Sequence, residues 1–182
     1  MIANKIPGAR TTAFLAAVLA VLAIPDIHAE ERTMTELLLS SPAFPNNGMI
    51  PSKFTCDGAD VSPPLAIANV PESAKALVLI VDDPDAPVGT WVHWVVWNIG
   101  AGMKEIPENS VPPGAIQGKN DFGKERYGGP CPPSGTHRYF FRLYALDAML
   151  PLKPGASKAR VEEAMKGRVL AQAELIGLYR RK

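Results

Sequence analysis

Residues 76–99 read ALVLIVDDPDAPVGTWVHWVVWNI, and they decide the fold. Ala76 to Val81 is an unbroken apolar run, the pattern of a strand covered on both faces. Trp91 to Ile99 is a second such run, rich in the aromatic and β-branched residues that suit a pleated surface. Asp82, Asp83 and Asp85 lie between the runs, where carboxylates end the first strand and Pro84 and Pro87 stiffen its exit. Two apolar strands around a short polar link predict a sheet core.

The rest of the chain keeps the same rhythm of short apolar runs punctuated by Pro and Gly. Glu36 to Ser41 reads as a strand ended by Pro42, and Pro42 to Pro51 as a turn-rich loop. Leu65 to Ala68 is a short strand after Pro63-Pro64. Residues 100–135 hold no apolar run of strand length and read as a long, partly ordered excursion. Such loops inside a compact domain are usually functional or interfacial. His137 to Leu146 is a strand. One helix is expected, near residues 157–166, with Ser157 capping its first turn and Val161, Ala164 and Met165 on one face. Ala171, Ala173, Leu175, Gly177 and Tyr179 then alternate with Gln172, Glu174, Ile176 and Leu178, which predicts a final strand. The expected class is mostly β with one short helix near the C-terminus.

The first 29 residues read as a secretory signal peptide. Lys5 and Arg10 are basic, Thr12 to Ile24 is apolar, and Ala29 supplies a small residue before the cut. An uncleaved anchor is the alternative, although the run is short for a membrane span. Residues 30–182 then form a single domain that is exported, periplasmic or secreted. The leader carries Lys5, Arg10 and Asp26, so its loss takes the formal net charge of +1 to zero. A neutral domain lacks the concentrated positive field that nucleic acid or an anionic membrane surface requires. Export also places Cys56 and Cys131 where a disulfide persists. Two cysteines permit one internal pair, and two separate buried thiols are the alternative that spacing alone leaves open.

Chemistry-bearing residues gather in three segments. The first is DDPDAP at 82–87. The second is WVHW at 91–94, where a period of two sets Trp91, His93, Val95 and Trp97 on one face and Val92, Trp94 and Val96 on the other. The third is YGGPCPPSGTHRY at 127–139, a stiff Gly-Pro loop running into a strand that turns His137 and Tyr139 to one side and Arg138 and Phe140 to the other.

DPDAP, WVHW and YGGPCPPSGTHRY in that order, preceded by SPAF and IPSKFTCDGADVSPPL, closely resemble the phosphatidylethanolamine-binding protein family. Within it the chain is most similar to the bacterial YbhB/YbcL-type, or Raf kinase inhibitor-like, branch. The resemblance spans about Leu37 to Tyr179. It implies a β-sandwich of two mainly antiparallel sheets with a small pocket for phosphate, phosphorylated head groups or similar anions. By the same resemblance Asp83 and Asp85 match the acidic pair, His93 and His137 the two pocket histidines, and Tyr139 the pocket tyrosine. Gly129-Pro130 match the loop whose backbone meets the anion, and Pro87 and Trp91 fall in the wall. The resemblance also brings the CDG and GGPCPP segments to one end of the fold, which implies a Cys56–Cys131 pair. Two departures from the animal proteins bear on head-group specificity and kinase inhibition: the C-terminal helical extension is missing, and Cys131 replaces the second proline of the Gly-Pro-Pro loop.

A carboxylate beside an imidazole orients it and favours its charged form, whereas burial opposes that charge. The expectation is that the carboxylates prevail. The functional reading is a binding or regulatory module for a small anion or phosphorylated head group, with a protein partner such as a protease as a variant. The alternative is a hydrolase or metal-dependent enzyme that uses His93, His137 and Asp83 as a two-His-one-carboxylate set. No HExxH, paired CxxC or GxSxG motif supports it, Cys131 is the one candidate nucleophile, and no cofactor or metal is expected. A third reading makes the 100–135 excursion a homodimer face.

Overall fold

In the computed structural model the described residues are 1–2 and 36–181. The expected signal peptide therefore lies, but for its first two residues, outside them. The strands among the described residues are β1 (Leu38–Ser40), β2 (Gly48–Met49), β3 (Leu65–Ala68), β4 (Ala76–Asp83), β5 (Trp91–Gly100), β6 (Glu105–Ile106), β7 (Ile116–Gln117), β8 (Thr136–Leu146) and β9 (Val169–Arg180). The helix α1 (Lys158–Met165) carries Ser157 as its cap, with the Ser157 hydroxyl accepting from the Arg160 N–H.

The strands form two sheets, one ordered β1-β3-β6 and the other β2-β9-β8-β4-β5-β7. All pairings are antiparallel except that of β2 with β9. The fold is thus mostly β, two mainly antiparallel sheets with one short helix. β4 is buried along its whole length, as its apolar run requires. Leu77, Leu79 and Val81 face the core shared with Leu39, Leu65, Ile67 and Ile106 of the smaller sheet. Val78 and Ile80 face a second core closed by Val161 and Met165 of α1. The helix is therefore the cover that lets the outer face of the central strand be apolar.

Two expectations are corrected. β6 and β7 lie inside the 100–135 excursion; each has only two residues, too few to show a period. The alternation proposed for 91–97 also fails. Val81 pairs with Trp94 and Asp82 with Val92, so His93 is an extra residue in a bulge. His93 and Trp94 consequently both turn toward the Tyr139 and Tyr127 side, while Val92, Val95 and Trp97 join the core under α1. Trp91 and His93 stay together, but Val95 and Trp97 are not on their face.

The carboxyl end of β4, the start of β5 and the start of β8 meet at one end of the larger sheet, with Asp83 opposite Trp91 and Asp82 opposite Phe140. The 127–135 loop closes over that end. A disulfide joins Cys56 to Cys131 across a sequence separation of 75.

Candidate functional site

A cavity of about 220 Å³ opens at this end, lined by Asp83, Pro87, Trp91, His93 and His137 together with Ala86, Val88, Phe122, Cys131, Pro132 and Pro133. Each strand delivers its group for a local reason. The bulge in β5 turns His93 inward, and β8 alternation turns His137 and Tyr139 inward while Arg138 points out. β4 alternation splits its two acids between opposite faces of the sheet. They are the last two residues of the strand, each paired across the sheet, and Asp85 lies beyond its end.

Asp83 is buried, and each of its oxygens accepts a hydrogen bond. Its Oδ2 accepts from His137 Nδ1 at 2.7 Å, and its Oδ1 accepts the Asp85 backbone N–H at 2.8 Å. Asp82, on the opposite face, is fully buried between Arg142 and Lys158, the latter 2.5 Å away. His93 Nδ1 lies 2.6 Å from the Gly128 carbonyl oxygen. A carbonyl only accepts, so Nδ1 carries the proton. In both histidines Nδ1 is spent on holding the ring, and Nε2 has no protein partner among the described residues. Burial holds the His93 pKa below the ordinary histidine value, against the Gly128 carbonyl and the charge of Asp83, which push it up. For His93, then, desolvation outweighs the carboxylates, contrary to expectation, and burial favours the neutral ring.

Tyr139 packs edge-on against His93, centroids 5.2 Å apart, and is fully buried. Its hydroxyl has no hydrogen-bond partner among the described residues. Burial first and the Asp83 charge second raise its pKa, so it remains a phenol. It forms no part of the cavity lining. Asp85 is also elsewhere: its carboxylate takes the Arg138 Nε at 2.9 Å, Nη2 at 2.7 Å and backbone N–H at 3.0 Å. That guanidinium pulls the Asp85 pKa down to about 2. Gly129 and Pro130 form the loop behind the wall. The Gly129 N–H donates to Asp60 Oδ1 at 2.6 Å, so it is committed away from the cavity, and Pro130 O accepts from the Cys56 N–H. A Cβ at Gly129 would meet Phe54 O at 2.5 Å, which makes glycine obligatory at this crossing.

A family model described as phosphatidylethanolamine-binding protein matches residues 40–180. The chain belongs to the phosphatidylethanolamine-binding protein family. A protein from Methanothermobacter thermautotrophicus known as a UPF0098 protein is 57% identical over 148 residues, which cover 79% of this chain and 98% of that one. Among solved structures, a phosphatidylethanolamine-binding protein homologue from Chlamydia trachomatis is 42% identical with a TM-score of 0.78, covering 81% of this chain and 99% of that one. YbcL of E. coli, described as a member of the mammalian family, is 33% identical with a TM-score of 0.76, covering 81% and 100%.

For this family member the structure thus brings Asp83, Pro87, Trp91, His93 and His137 into one cavity and leaves Asp85, Gly129, Pro130 and Tyr139 outside its lining. Sequence reasoning missed Phe122. Its ring sits edge-on to Trp91 at 5.5 Å and to His93 at 5.4 Å. The available signal was a lone aromatic in the charged run KNDFGKER, 119–126.

Proposed function

We propose that this protein is an exported binding module for small anions or phosphorylated groups, acting as a regulator or inhibitor rather than as an enzyme. The observation that carries the reading is the pair of imidazoles in one cavity, each fixed through Nδ1 and each left with Nε2 uncommitted. Two fixed rings suit a ligand with several oxygens. In the neutral state each Nε2 is an acceptor. An oxyanion is held only when a proton lies between ring and oxygen, supplied by an imidazolium or by a protonated phosphate. Binding of a dianion therefore takes up a proton.

The sign of the pH dependence follows. A phosphomonoester has a second pKa of about 6, and burial keeps the His93 pKa low. Both partners lose the shared proton as pH rises, so affinity is highest in mild acid and falls toward alkaline pH. The enzymatic alternative has less support. Its candidate nucleophile Cys131 is held in a disulfide, and among the described residues no three His, Cys, Asp or Glu side chains converge as a metal set. Export is supported by the order of basic, apolar and small residues in 1–29 and by the disulfide, which suits an oxidising compartment. An inhibitory role would add a protein partner, such as a protease, at the same end.

The test is calorimetric titration with inorganic phosphate at two pH values in buffers of different ionisation heat. The expected result is proton uptake on binding and a weaker complex at the higher pH. His137→Ala should weaken binding by about tenfold or more, the loss of a hydrogen bond to a charged group. Arg138→Ala, outside the cavity, should weaken it far less. Equal binding by wild type and His137→Ala refutes the reading.

A further inference from the structure

Apart from the two imidazoles and Asp83, the cavity wall is apolar. Val88 is 79% exposed and Phe122 40% exposed at its mouth, beside Trp91, Pro132 and Pro133. Phe122 is exposed but not loosely held. The Asp121 carboxylate accepts the Val92 N–H at 2.7 Å, and the Asp121 N–H donates to Val92 O at 3.0 Å. Asn120, almost fully buried, donates to His93 O and Arg126 O and accepts the Lys124 N–H. These bonds clamp the 120–126 turn to β5. The Phe122 ring rests on Gly128, where a Cβ would come within 2.7 Å of it. A turn built this firmly to hold an aromatic ring at the mouth of a polar cavity calls for an apolar partner, since exposed apolar groups gathered at one place mark contact sites.

The carboxylates point the same way. A head group bearing an ammonium needs an uncommitted acid beside the phosphate. Asp83 is already paired with His137 and the Asp85 N–H, and the charge of Asp85 with the Arg138 guanidinium, so an ammonium would compete with partners the fold itself supplies. Protonated imidazoles would also repel the ammonium.

We propose that the cavity selects phosphate groups carrying an apolar substituent over those carrying an ethanolamine, and that Phe122 sets this preference. The proposal rests on the anion-binding reading above. The substituent lies against Phe122 and Trp91 at the mouth while the phosphate oxygens meet Nε2 of His93 and His137.

The experiment titrates wild type, Phe122→Ala and Phe122→Leu with inorganic phosphate, phenyl phosphate, phosphorylethanolamine and a short-chain phosphatidic acid, with circular dichroism to confirm that the variants fold. Phenyl phosphate or the phosphatidic acid should bind wild type about tenfold tighter than inorganic phosphate, from burial of the apolar group. Which of the two does so distinguishes a soluble from a lipid source of the same chemistry. Phosphorylethanolamine should gain nothing over inorganic phosphate. Phe122→Ala should abolish the gain, so that the apolar esters bind it no tighter than inorganic phosphate does, and Phe122→Leu should keep part of it. The proposal is overturned if neither apolar ester gains, if phosphorylethanolamine binds tightest, or if Phe122→Ala weakens every ligand alike. In the first case, His137-dependent binding of inorganic phosphate shows that only the selectivity has failed; absence of all phosphate binding shows that the anion-binding reading has failed with it.

Discussion

Replacing Cys56 and Cys131 together by Ser removes a cross-link spanning 75 positions of the chain. In the chain-entropy model that span restricts the unfolded chain by about 4.5 kcal/mol at 25 °C. The folded state has little to lose. The 127–130 segment is still held by Gly128 N–H to His93 O, Gly129 N–H to Asp60, Tyr127 Oη to Phe54 O and Cys56 N–H to Pro130 O. Backbone bonds do not depend on the sulfur, so the pocket wall should keep its shape. At roughly 2–4 °C per kcal/mol for a domain near this size, the midpoint should fall by about 9–18 °C. Differential scanning calorimetry of the two proteins, each checked for reversibility, measures it. Phosphate affinity at 25 °C should survive in the double variant. A midpoint within about 3 °C of wild type would refute the entropic argument, and loss of the fold at 25 °C would show that the loop hydrogen bonds do not suffice without the cross-link.

Three further outcomes follow from the buried polar groups. Asp82→Asn removes the buried acid between Arg142 and Lys158, and should cost about 2–3 kcal/mol in urea unfolding, below the full cost of an orphaned buried charge because both cations keep some exposure and a second acid, Glu174 for Arg142 and Glu162 for Lys158. A change within error would mean the triad is balanced by solvent. Because burial lowers the His93 pKa, the unfolded state binds the proton more readily, so stability present above about pH 6.5 should decline as pH falls through the folded-state pKa; His93→Asn, whose amide can still donate to Gly128 O, should remove that part of the decline, and an unchanged pH profile would contradict it. The Asp85 contribution runs in the acid range, present above about 3.8 and lost as pH falls through about 2; carboxyl NMR of Arg138→Ala should show Asp85 titrating back near its ordinary value, and an unmoved titration would break the assignment.

The strands were legible where burial on two sides left no choice of side chain. Ala76–Val81 could only be a covered strand, and Pro and Gly marked its neighbours. The bulge at His93 was not legible, because a period of two carries no sign of an extra residue until the partner strand is known. The Asp85–Arg138 pair spans 53 residues, and nothing local distinguishes an acid that will orient a histidine from one that an arginine will claim. His93 and His137 were found through the motifs in which they sit. Phe122 was hidden for the opposite reason: its surroundings are charged and loop-like, and only the clamps on Asn120 and Asp121 give its position meaning.

The most direct measurement is a crystal structure of the protein grown from phosphate in mild acid, read for density between the two histidines. A tetrahedral anion should lie within hydrogen-bond reach of Nε2 of both His93 and His137, with their Nδ1 contacts to Gly128 O and Asp83 retained. Ordered phosphate bound elsewhere, with only water at the two rings, would contradict it.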